Sequence, residues 1–220
     1  MAVICKIDTN KIKNGTGLFH YSNRSILCEW DSDLSNMTCA DHMFNLCTNL
    51  HTFKGDLSNL TCNYRMFAES ALSSWEIDLP NLVLGGGMFY NCPNLTSFEG
   101  DLSKLKSGAL GYTGSRQGMF CDSKLNNFRG NLKSLVDGRY MFRRCNLSND
   151  SLACIAGTIN DYTKNNDLYY SCIAGTSDCY GYIDEGGIID IGSISSGSTF
   201  YPVVVGLLQE KGWTVKNNDV

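Results

Sequence analysis

The chain has 220 residues, with 18 Lys and Arg against 22 Asp and Glu and a formal net charge of -4 spread along its length. That balance excludes the basic stripe that a nucleic-acid or anionic-membrane surface needs, and the length suffices to bury a core without a metal or crosslinks. No window approaches the roughly 18 apolar residues of a membrane span, and the opening MAVICKIDTNKIKNG mixes charged and apolar residues too evenly for a secretory signal, so neither membrane insertion nor Sec export is expected.

Residues 1–17 read as an N-terminal cap, and a repeat occupies 18–147. Met-Phe recurs at Met43, Met66, Met88, Met119 and Met141, at intervals of 23, 22, 31 and 22 residues. Aligned on it, the copies read MFNLCTNLHTFKGDLSNL, MFAESALSSWEIDLPNL, MFYNCPNLTSFEGDLSKL and MFCDSKLNNFRGNLKSL, and a worn copy starts at Leu18. The shared frame is MFxxCxxLxxFxGDLSxL. Met, Phe and the Cys one turn later suit one side of a short helical or 3₁₀ segment. The next Leu and aromatic suit a short strand, and Gly-Asp or Gly-Asn suits the bend that follows. Each copy offers one apolar edge and buries too little to order itself, so stacking of neighbours is required. The long interval holds a Gly, Ser and Tyr-rich insertion near 106–118.

Beyond 147 the frame dissolves into a C-terminal cap, 148–220. SNDSLACIAGTI offers an N-capping residue and an apolar face at Leu152, Ile155 and Ile159, predicting a helix. GIIDIGSI predicts a strand, STFYPVVVGLLQEKG a second helix and WTVKN a closing strand.

The frame MFxxCxxLxxFxGDLSxL resembles the BspA-like leucine-rich repeat and related Met-Phe repeats of bacterial surface proteins. The segment GIIDIG, helix, KGWTV is similar to the terminal segment that follows such repeats in gut Bacteroidales proteins and their phages. The resemblance implies an α/β repeat fold. This would be a right-handed leucine-rich-repeat solenoid with short parallel β-strands and short helical or 3₁₀ segments, closed by a C-terminal α/β unit. It also implies adhesins, surface antigens or virion components as functional company.

Eleven cysteines carry no CxxC pair, and the three histidines are His20, His42 and His51. Neither zinc-ligand spacing nor a short disulfide framework results, and the cysteines are expected to be mostly reduced packing residues, with any pairing left open. A Cys–His dyad from His42 or His51 with Cys39 or Cys47 falls inside the repeat frame, where a catalytic residue would not recur. LGGGMF lacks the Lys and Ser or Thr of a phosphate loop, so its glycines are read as a bend before Met88. The Asp31 and Asp33 pair lacks the rest of a calcium loop. No catalytic residue, metal or cofactor is assigned.

Binding candidates are the residues the frame ignores. Inward aromatics Trp30, Phe53, Trp75, Phe98 and Phe128 would turn their neighbours outward, among them Lys54, Glu76, Glu99 and Arg129. In the insertion, Tyr112, Arg116 and Gln117 stand among glycines and serines, a composition suited to adaptable binding loops. The expectation is a non-enzymatic binding or assembly module of a phage virion or bacterial surface, taking a protein or glycan ligand, with homo-oligomerisation open. The alternative is a cytoplasmic protein-interaction scaffold, and a Cys-dependent hydrolase ranks last.

Overall fold

A computed structural model of the chain describes residues 3–5, 8–21, 27–109, 117–159, 188–190 and 201–216. Its strands are β1 (Val3–Cys5), β2 (Leu27–Trp30), β3 (Thr52–Phe53), β4 (Ser74–Trp75), β5 (Ser97–Gly100), β6 (Asn127–Gly130), β7 (Ile188–Asp190) and β8 (Thr214–Lys216). Its helices are α1 (Asn149–Thr158) and α2 (Tyr201–Glu210). Among the described residues these strands pair in parallel, in three small sheets ordered β1-β2-β3, β4-β5-β6 and β7-β8.

The expected right-handed leucine-rich-repeat solenoid is corrected by this arrangement. Among the described residues there is no continuous or closed sheet along the repeats. The ladder stops between β3 and β4, and the two helices both lie beyond the last Met-Phe. The Met-Phe segments form turns instead of helical or 3₁₀ segments, and the backbone shows why. The residue before Met is left-handed in four copies (His42 φ 55°, Arg65 φ 51°, Gly87 φ 66°, Tyr140 φ 57°), as is the third residue after it (Leu46 φ 62°, Glu69 φ 62°, Asn91 φ 51°, Asp122 φ 60°, Arg144 φ 57°). A left-handed residue every fourth position leaves room for a single turn between.

Hydrogen bonds alternate accordingly. Met88 and Tyr90 amides close local turns onto Gly85 and Gly87 carbonyls at 3.1 and 3.0 Å, while Phe89 and Asn91 amides donate to Met119 and Cys121 carbonyls of the next copy at 2.8 and 2.9 Å. The same alternation joins Phe44 to Met66, Phe67 to Met88 and Phe120 to Met141, each at 2.8 or 2.9 Å. Consecutive copies are therefore tied along the turn side even where strand pairing lapses.

Two aromatic columns meet in the core. The Met-Phe rings stack face to face from Phe19 through Phe44, Phe67, Phe89 and Phe120 to Phe142, with centroids 5.4 to 5.7 Å apart. The strand aromatics meet them edge-on, as Phe98 does Phe120 at 5.0 Å and Phe128 does Phe142 at 4.9 Å. Packing bridges the sheet break, because Phe53 stacks on Trp75 at 5.5 Å. Where the strand aromatic is Trp, its indole N–H donates to a carbonyl two residues on, Ser32 at 3.0 Å and Ile77 at 2.7 Å. Where it is Phe, glycine stands at that place. A Cβ on Gly55 or Gly130 would lie 2.7 or 2.4 Å from the tip of Phe53 or Phe128.

The predicted C-terminal elements are present. Ser148 caps α1 by accepting the Ser151 amide, and Ser151 Oγ accepts the Phe128 amide and donates to the Asn126 carbonyl, both at 2.8 Å. One hydroxyl thus serves the Phe128 amide of β6 and the Asn126 carbonyl just before it, where the array of strands ends. Lys211, just after α2, donates to the Ala156, Gly157 and Ile159 carbonyls at the end of α1, at 2.7, 2.9 and 3.0 Å.

Candidate functional site

The core aromatics give the repeats two walls, one of Met-Phe turns and one of strands. On the strand wall Trp30, Phe53, Trp75, Phe98 and Phe128 are buried, and Lys54, Glu76, Glu99 and Arg129 are exposed beside them. Glu99 and Arg129 are register partners on β5 and β6, and Arg129 reaches Asp150 of α1 at 3.7 Å. Lys54 and Glu76 follow β3 and β4 directly, and the Lys54 amide still donates to the Trp30 carbonyl at 2.9 Å. Both partners of the Arg129–Asp150 pair are more than half exposed, so the contact contributes little stability.

Gln117 lies elsewhere. Its Oε1 accepts from Arg65 Nη2, and the Arg65 guanidinium sits over the Tyr90 ring at 5.2 Å. Gln117 also hydrogen-bonds Tyr90, whose hydroxyl is pushed up first by burial and then by the Asp122 and Cys121 charges, with Gln117 and Arg65 opposing. Arg65 comes from the left-handed position before Met66 and Tyr90 from the second position after Met88, so stacking of copies places them together. The insertion starts here. Ala109 and Gly118 form an antiparallel bridge that closes its base, while Tyr112 and Arg116 lie outside the described residues. Gly118 must be glycine, because a Cβ there would lie 2.3 Å from the Tyr140 carbonyl.

Further along the turn wall, His20 stacks on Tyr21 at 4.1 Å and faces His42 at 5.6 Å. His42 is held below its ordinary 6.5, first by burial, then by His20 and Arg65, while Asn45 and Asp41 oppose. His51 is exposed and bonds its own neighbour, Thr52, at 3.0 Å.

Cys47 does not meet the requirements of a nucleophile: it is buried, its thiol faces the Phe19 carbonyl, and burial pushes it up to about 12. Cys92 and Cys145 repeat the arrangement, each 3.2 Å from the preceding copy's Phe carbonyl and pushed up to about 11 and 12. The column reads Cys47, Ser70, Cys92, Ser123, Cys145, with Ser hydroxyls 3.5 Å from Cys92 and Cys145 sulfurs. Asp33 is occupied by the Ser35 amide and hydroxyl at 2.7 and 2.9 Å. Among the described residues, no cluster of three or more His, Cys, Asp or Glu is placed to hold a metal, and no helix is long and apolar enough to cross a membrane.

Sequence reasoning thus named Gln117 and missed its two partners. Arg65 and Tyr90 occupy positions the frame ignores, Arg65 just before Met66 and Tyr90 at the start of the Met88 copy whose far end bears the insertion. The available signal was their column, since both stand in turns stacked beside Gln117. The strand-wall residues and Gln117 are not brought together. Comparison with family models, curated proteins and solved structures finds no match for this chain.

Proposed function

We propose that the chain is a non-enzymatic binding or assembly module of a phage particle or bacterial surface, which takes a protein or glycan through its inserted segment. The observation that carries this reading is the seat of that segment. A closed base at Ala109 and Gly118 stands beside Arg65, Tyr90 and Gln117, over a core of stacked rings. A guanidinium lying on an aromatic face and tied by an amide is a fixed hydrogen-bonding surface that loses little freedom when a ligand arrives. The Gly, Ser and Tyr-rich composition of the insertion suits adaptable contacts, and the base beside it supplies fixed ones. The virion or surface setting is supported by the resemblance of the Met-Phe frame to bacterial surface repeats.

The test is ligand capture from bacterial envelope fractions by the intact chain, by a chain with 110–116 replaced by Gly-Gly, and by Arg65→Ala. The expected outcome is saturable binding by the intact chain that both changes reduce at least tenfold, with the unfolding midpoint of the loop variant unchanged. Equal binding by all three would remove the proposal.

A further inference from the structure

A second cysteine column lies at the corner that leads into each Met-Phe turn. There Asn14, Cys39, Cys62, Leu84, Ser107 and Asp137 pair in sequence through isolated parallel bridges. In the inner column serine separates every two cysteines, but here Cys39 and Cys62 are direct register partners, and theirs is the one such pair among the described residues. Both are free and half-buried. Cys62 Sγ lies 3.9 Å from the Thr38 carbonyl, and Cys39 Sγ lies 3.9 Å from Thr16 Oγ1, so both thiols sit among hydroxyl and carbonyl groups of one corner. Parallel neighbours stand about 4.8 Å apart, inside the ~4.4–6.8 Å that a disulfide spans between Cα atoms.

We propose that Cys39 and Cys62 form a site of reversible oxidation, closing to an intramolecular disulfide that staples two adjacent copies when a low-molecular-weight disulfide such as oxidised glutathione is present. One thiolate attacks a glutathione sulfur, forming a mixed disulfide and releasing one glutathione thiolate. The second cysteine then attacks the bound sulfur and releases the other glutathione. The two thiol protons end on the two glutathiones, which are reduced as the cysteines are oxidised. Burial pushes the Cys62 thiol up to about 11, with neighbouring Cys39 adding to the shift, so closure is slow at neutral pH and quickens as pH rises. The buried inner column has no such partner and stays reduced. The staple ties neighbouring copies together and raises the resistance of the array to unfolding.

The reduced full-length chain is incubated with oxidised glutathione at pH 8.5, digested without reductant and analysed by mass spectrometry, alongside C39S and C62S. The expected product joins peptide 25–54 to peptide 55–65 with fragmentation placing the bond at Cys39 and Cys62, loses two hydrogens and unfolds at higher urea. Both variants lose the link and the shift, while reduced C62S unfolds at the midpoint of the reduced parent. Cysteines that end as separate glutathione adducts, a bond between any other pair, or no oxidation would each overturn the proposal.

Discussion

At the residue scale, two glycines with opposite surroundings separate close approach from mere flexibility. A Cβ on Gly118 would strike the backbone of Tyr140 and Met141 at 2.3 to 2.4 Å, whereas nothing lies within 4 Å of one on Gly157 in α1. Gly118→Ala is therefore expected to destabilise by at least about 2 kcal/mol, and Gly157→Ala to stabilise by about 0.5–1 kcal/mol, both read from urea midpoints. His42 gives a pH dependence of known sign. Its folded-state value lies below the ordinary 6.5, because burial, His20 and Arg65 outweigh Asp41 and Asn45. The unfolded chain then binds the proton more readily, so this contribution is complete above pH 6.5 and is lost as pH falls below it. Urea midpoints between pH 8 and 5 should decline on the acid side, and His42→Gln should flatten the decline. The core residues were legible at this scale because Met, Phe, Leu and the strand aromatic recur at a fixed period. The left-handed residues were not, since His, Arg, Tyr, Leu, Glu, Asn and Asp all fill those positions. His42, Leu46, Arg65, Glu69, Asn91 and Asp122 donate their amides to the next copy, and such bonds leave no mark in composition.

At the element scale, the short strands and the C-terminal helix, strand and helix order were readable from spacing and caps. The character of the Met-Phe segment was not. A Met, a Phe and a Cys one turn apart fit a helical stretch and a single turn equally well, and the alternation of local and cross-copy amides decides for the turn. The break between β3 and β4 was equally invisible, because Phe53 and Trp75 keep the core pattern across it. The end of β6 offers a direct test of how the array stops. Ser151 Oγ serves both the Phe128 amide and the Asn126 carbonyl, and the carbonyl also accepts the Ser148 amide at 2.8 Å, so Ser151→Ala leaves the buried Phe128 amide unserved and should cost about 1–3 kcal/mol. The check is a lower unfolding midpoint with faster hydrogen exchange at the Phe128 amide, and Ser151→Thr should recover part of the loss.

At the scale of the whole molecule, one cluster of buried side chains runs from Leu27 to Trp213, and the variable residues are carried on its two walls. The strand wall bears separated charges, whereas the turn wall gathers Arg65, Tyr90 and Gln117 from stacked turns at the base of the insertion. Sequence could name Gln117 because an insertion interrupts a period. It could not name Arg65, because nearness across stacked copies is a property of register and not of spacing along the chain. The same limit hid the Cys39 and Cys62 pair, and the Ser70 and Ser123 hydroxyls that keep the inner cysteines apart. The most direct measurement of the central claim is the binding isotherm of an envelope-derived protein or glycan on the intact chain and on the chain with 110–116 replaced by Gly-Gly. Binding through the inserted segment predicts saturation that falls at least tenfold in the loop variant while its urea midpoint stays that of the parent. Undiminished binding by the correctly folded loop variant would contradict it.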